Sequence, residues 1–118
     1  MSARRILSVA PDLFFAARIA AVAEALGLEL LDAAPAAAFE VAKRQAPDLI
    51  VVDLHATGDP LAQVRALRAD PATRAIPVVG FYSHVDAATR DAALAAGVTH
   101  VMPRSQFTRR LPELLAGS

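Results

Sequence analysis

Pro47-Asp48-Leu49-Ile50-Val51-Val52-Asp53-Leu54 places four consecutive apolar residues, Leu49 to Val52, between a helix-stopping proline and an aspartate. A strand with one wet face alternates polar with apolar; an uninterrupted, largely β-branched run fits a strand buried on both faces, as in a parallel sheet. Such a sheet needs crossover helices, so helical spacing is expected on both sides of the run. It is found there.

Upstream, Ile6 to Val9 is a short apolar run, and Phe15, Ile19, Val22 and Leu26 then recur at steps of four, three and four, marking a helix face that ends near Gly27. Leu28 to Leu31 predicts a second strand, and Pro35 opens a helix with Phe39, Ala42 and Ala46 as its stripe, stopped by Pro47. Downstream, Thr57-Gly58-Asp59 is a turn, and Asp59-Pro60 is the cap and first residue of a helix carrying Leu61, Val64 and Leu67, ending at Asp70-Pro71. Ile76 to Tyr82 predicts strand four. Asp86 caps an alanine-rich helix closed by Gly97, Val98 to Met102 predicts strand five, and Ser105 opens a last helix with Phe107, Leu111 and Leu114. The expectation is an α/β fold of five βα units: a doubly wound, five-stranded parallel sheet with helices on both faces.

The 118 residues are expected to form one domain, 1–118, with no linker, repeat or removed leader. With 55% hydrophobic and 20% charged residues the chain has a core to bury, which argues against disorder. Twelve acidic and twelve basic side chains cancel, removing the simplest electrostatic case for nucleic-acid binding. No cysteine is present, which excludes thiolate zinc sites, redox dithiols and disulfide scaffolds and points to a cytoplasmic protein. No apolar run is long enough to span a membrane.

Open parallel sheets gather ligands beyond the carboxyl ends of their strands. Those positions hold Ala10, Pro11 and Asp12; Asp53, Leu54 and His55; Tyr82, Ser83 and His84; and Pro103, Arg104 and Ser105. In these residues and in the scaffold around them the chain resembles, over essentially its whole length, the receiver domains of bacterial response regulators, which have a flavodoxin-like fold. Pro47 to Leu54 is similar to the family's third strand with its phosphoacceptor aspartate, Arg68 to Val79 to its passage into strand four, and Ala95-Ala96-Gly97 to the end of its fourth helix.

The resemblance implies that Asp53 stands at the phosphoacceptor position, fed by a histidine kinase with Mg²⁺ held on oxygen ligands. It also implies an acidic pair after strand one, which falls here on Ala10 and Pro11, neither with a side-chain oxygen. Asp12 is one position displaced and either caps the first helix or contributes through water. The family's switch hydroxyl aligns with Tyr82; Ser83 would replace it only after a register slip that turns every strand-four side chain over. Its lysine aligns with Arg104, the proline after that with Ser105, and its aromatic switch with Val101. The resemblance therefore implies a degenerate receiver, a pseudo-receiver, that is no enzyme, binds no cofactor and works by protein contact. The alternative is an active single-domain regulator phosphorylated on Asp53, with Mg²⁺ held by Asp12, Asp53 and the His55 carbonyl.

Several finer expectations attach to these residues. An Asp53–Arg104 ion pair is expected to replace the metal centre. His55 and His84, with Asp53 or Asp12, are either a transition-metal site or solvent-facing loop residues, and His100 is expected on the outer face. Arg90, Arg104, Arg109 and Arg110 give the edge formed by helix four, strand five and helix five a basic character. That edge is the expected place for a kinase, a phosphotransfer or output protein, or a second copy; nucleic acid and membrane are not expected partners.

Overall fold

The computed structural model describes residues 3–83 and 87–117. β1 (Arg5–Val9), α1 (Leu13–Ala25) and β2 (Glu29–Asp32) are followed by a 3-10 turn (Pro35–Ala37) running into α2 (Ala38–Gln45). Then come β3 (Leu49–Asp53), α3 (Pro60–Ala69), β4 (Val78–Tyr82), α4 (Ala87–Ala96), β5 (His100–Pro103) and α5 (Arg104–Ala116). All pairings are parallel and the spatial order is β2-β1-β3-β4-β5, so the direction of winding reverses between β1 and β3.

The continuous apolar run has the expected meaning. β3 sends Leu49 and Val51 toward α1 and α5, where they meet Ile6, Ile19, Val79 and Phe107, and sends Ile50 and Val52 the other way, among Leu7, Val9, Val64 and Leu67. On the α1–α5 side Phe81 stacks on Phe107 at 4.4 Å between ring centres and on Phe15 at 5.2 Å. Such stacking adds about 0.5–1.5 kcal/mol per pair beyond simple burial.

Some boundaries move, each for a local reason. α1 ends at Ala25, and the left-handed Gly27 (φ +70°) turns the chain away, so Leu26 is 43% exposed and the buried face is Phe15, Ile19 and Ala23. Ala46 is exposed and left-handed (φ 49°) rather than part of the α2 stripe, because the residue before Pro47 is pushed out of the helical region. β2 begins at Glu29 rather than Leu28 and is an edge strand paired only with β1. β4 begins at Val78: Pro77 has no N–H for the ladder, although its carbonyl accepts from Ile50 N. β5 begins at His100 rather than Val98, and α5 begins at Arg104 with Pro103 as its cap residue, leaving Ser105 in the first turn. His84 and Asp86 lie outside the described residues.

Below β4 and β5, Arg68 ties two connections together, the one from α3 to β4 and the one from α4 to β5. Its guanidinium donates to the carbonyls of Gly97 (2.9 Å), Arg74 (2.9 Å) and Ile76 (2.7 Å) and to Thr99 Oγ1 (3.2 Å). Burial lowers its pKa from the usual arginine value. Gly97 is required where this staple crosses: its φ is +108° and an added Cβ would stand 2.6 Å from Arg68 Cγ.

Candidate functional site

The carboxyl ends of β1, β3 and β4 and the start of α5 meet at one rim of the sheet. Asp53 is the last residue of β3, half-buried, and lies beside Phe81 in register. Its Oδ1 accepts from the His55 amide at 2.9 Å, and its carbonyl accepts from Ala56 N at 3.2 Å, so the chain folds back immediately after the strand. Leu54 is driven down by this turn onto the α2–α4 face. There it fills the space above Gly80, where an added Cβ would stand 2.9 Å from Leu54 Cδ2.

Asp12 takes the capping role. Its Oδ1 accepts from Phe14 N (2.9 Å) and Phe15 N (3.2 Å), satisfying two amides that the first turn of α1 leaves open. Its Oδ2 lies 3.7 Å from Arg104 Nη2. The Arg104 guanidinium lies 4.0 Å from the centre of the Phe15 ring, a cation over an aromatic face. Ala10 is buried beneath this cover and Pro11 is exposed.

The expected Asp53–Arg104 pair is therefore corrected: among the described residues the carboxylate within ion-pair distance of Arg104 is Asp12. As the first residue of α5, Arg104 faces α1, which offers it both a π face and a carboxylate, whereas Asp53 is bonded by the amide of its own loop. The basic edge correspondingly loses Arg104, and Arg110 pairs with Glu113 at 3.8 Å, leaving Arg90 and Arg109 exposed.

Tyr82 aligns with Pro103 with no slip in β4, and is only 5% exposed, packed in the core on the α2–α4 side; Ser83 is exposed just past the strand. Val101 is half-buried against the same core. His55 is exposed at the rim. His100 is exposed too, but at the opposite end of β5, where with Arg4, Pro77 and Leu114 it borders a cleft of about 280 Å³. His55 and His100 thus lie at opposite ends of the strands, the expected partner of His55, His84, lies outside the described residues, and among the described residues no three His, Cys, Asp or Glu side chains are grouped as metal ligands.

Magnesium takes oxygen ligands in near-octahedral array, usually through one or two carboxylates. The end of β1 offers Ala10 and Pro11. The next acid, Asp12, has one oxygen committed to the α1 cap and the other facing a guanidinium. Of the ligands that an active receiver would need here, Asp12, Asp53 and the His55 carbonyl, Asp12 thus has both oxygens engaged by protein groups.

The sequence singled out Phe15, Phe107 and Arg104 separately, as core or as an aligned position. Their assembly into one stack under one cation was not foreseen. The available signal was the pairing of a bulky Phe81 on β4 with aromatics on both flanking helices.

No model of a known protein family and no curated protein sequence matches the chain. Solved structures do. A response regulator from Hahella chejuensis superposes with a TM-score of 0.85 at 21% identity, covering 96% of this chain and 92% of that one. A chemotaxis response regulator of Vibrio cholerae gives 0.84 at 18% identity, covering 99% and 98%. The receiver domain of a sensor histidine kinase from Pseudomonas aeruginosa, whose structure has magnesium coordinated in the active-site cleft, gives 0.82 at 24% identity, covering 99% and 100%. The chain thus has the receiver fold.

Proposed function

We propose that this chain is a receiver module of bacterial two-component signalling that transmits through protein contact and does not depend on phosphorylation of Asp53. One observation carries the proposal: at the end of β1, where a receiver's cation would be held, the only carboxylate, Asp12, is bound to the α1 cap and to Arg104. A phosphoryl group arriving at a carboxylate brings anionic oxygens whose charge must be neutralised, and a guanidinium already seated on Phe15 and Asp12 is not aimed at them. On this reading the module performs no catalysis, needs no cofactor, and passes its signal to a kinase, a phosphotransfer protein or an output protein. The exposed Arg90 and Arg109 at the α4–β5–α5 edge are among the polar contacts offered for that docking. No helix among the described residues is long and apolar enough to cross a membrane.

A second reading, an active receiver, is favoured by Asp53 itself, which stands half-exposed at the carboxyl end of the central strand. Incubation with acetyl phosphate or phosphoramidate and Mg²⁺, followed by intact-mass measurement, separates the two. The proposal expects no added phosphoryl mass and no thermal stabilisation by beryllofluoride with Mg²⁺. A phosphoryl adduct that disappears in Asp53→Asn establishes the second reading instead.

A further inference from the structure

α1 is apolar on the side that faces water. Phe15, Ile19 and Ala23 point into the core, yet Phe14, Ala17, Arg18, Ala21, Glu24 and Ala25 form a second stripe at helical spacing, and all six are exposed. Beside it Leu13 is 85% exposed, and Phe14 itself is 65% exposed. A helix that is apolar all round is ordinarily covered on every side. The stripe carries two charges, Arg18 and Glu24, and neither forms an ion pair among the described residues; Arg18 leans over Phe14 at 5.3 Å.

We propose that this face packs against the same face of a second copy, the two α1 helices antiparallel about a two-fold axis through Ala21. The spacing is self-complementary only in that orientation. With Ala21 on the axis, Arg18 stands opposite the partner's Glu24 and Glu24 opposite the partner's Arg18, while Ala17 faces the partner's Ala25. Phe14 then approaches the partner's exposed Leu26, the C-cap residue at the far end of the helix. A parallel pairing would set Arg18 against Arg18 and Glu24 against Glu24. Three alanines along the seam let the axes approach to about 8 Å, the close end of helix packing. The interface is isologous, as a closed dimer requires.

The competing α4–β5–α5 surface is built differently. Among the described residues its exposed positions include Arg90, Asp91, Arg109 and Glu113, with Leu94 the large apolar residue exposed there. That pattern suits a polar partner, and the α1 face suits a copy of itself. One helix pair lies at the small end of stable interfaces, so the dimer is reversible and concentration-dependent.

Sedimentation equilibrium on the full chain tests this. The expected mass rises with concentration from 12.4 kDa toward twice that value. Arg18→Glu or Glu24→Arg alone weakens association by about tenfold or more, and the double variant, which restores opposite charges, recovers it. The chain has no cysteine of its own, so Ala21→Cys should oxidise to a covalent dimer while Ala92→Cys on α4 should not. Circular dichroism checks that each exposed-site variant is folded. A chain that stays monomeric at millimolar concentration overturns the proposal, as does a dimer indifferent to the charge reversals. A monomer whose α1 face is instead protected by a purified partner protein assigns the surface to that partner and likewise overturns self-association.

Discussion

Arg104 joins two interactions whose separate worth can be worked out and measured. Its ion pair with Asp12 spans 3.7 Å between side chains 36% and 47% exposed, so solvent screening places it at the low end of the about 0.2–1 kcal/mol range for surface pairs. The cation–π contact is stronger: the guanidinium is 4.0 Å from the ring centre of Phe15, a residue only 7% exposed, which sets it near 1 kcal/mol, between about 0.5 for open sites and about 2 for desolvated ones. Arg104→Gln keeps part of the stem and removes both, for a loss of about 1–1.5 kcal/mol. Phe15→Leu removes the π face and the stacking on Phe81, at a cost of about 1–3 kcal/mol. If the guanidinium interacts with the ring, the double variant loses less than the sum of the singles by about 0.5–1 kcal/mol. Urea unfolding of all four proteins in one buffer, at low and at high salt, reads this directly. Since the ring is neutral, the coupling should survive salt that erases the Asp12 contribution. Additivity within about 0.3 kcal/mol refutes the assignment of Arg104 as the cover of this site.

Two further outcomes follow from the opposite end of the molecule. Gly97→Ala forces a Cβ to within 2.6 Å of Arg68 Cγ at φ +108°, and is expected to cost about 2–3 kcal/mol in urea unfolding, while Gly27→Ala, with open space at its Cβ, should cost about 1 kcal/mol for backbone strain alone. Asp70 accepts from Lys43 Nζ at 2.8 Å and from Ala72 N at 2.8 Å, and these bonds, Lys43 foremost, hold its carboxyl below the usual value. A carboxyl so lowered contributes stability above its unfolded pKa, near 3.9, and loses it as pH falls through the folded value. The urea midpoint of Asp70→Asn should therefore lie below that of the wild type at neutral pH and converge on it under acid conditions; a gap that widens on acidification contradicts the assignment.

The sheet was legible because its signals are physical necessities. Leu49 to Val52 has no polar residue to turn outward, and Asp59-Pro60 and Gly97 mark a helix start and a helix end that other residues perform poorly. The capping role of Asp12 was among the expected alternatives, since a carboxylate just before an apolar helix satisfies orphan amides. Less was legible at the rim. Whether Arg104 reaches Asp53 or Asp12 depends on which way the first turn of α5 faces, and no spacing in the sequence encodes that direction. Leu26 was expected inside because its periodicity is correct, yet the helix stops one residue before it. The outer face of α1 was overlooked because alanine blurs the contrast between inside and outside on which periodicity depends.

Leu54, seated against Gly80, has a mechanical consequence. Receiver-like rims are flanked by loops, and a loop anchored only at its ends swings freely. Here the residue directly after Asp53 is buried to 8% exposure and tethered to Phe81 O by its amide at 2.9 Å. The hinge is thus bolted to the sheet, and any displacement beginning at Asp53 must lever the hydrophobic layer beneath α3 and α4 along with it.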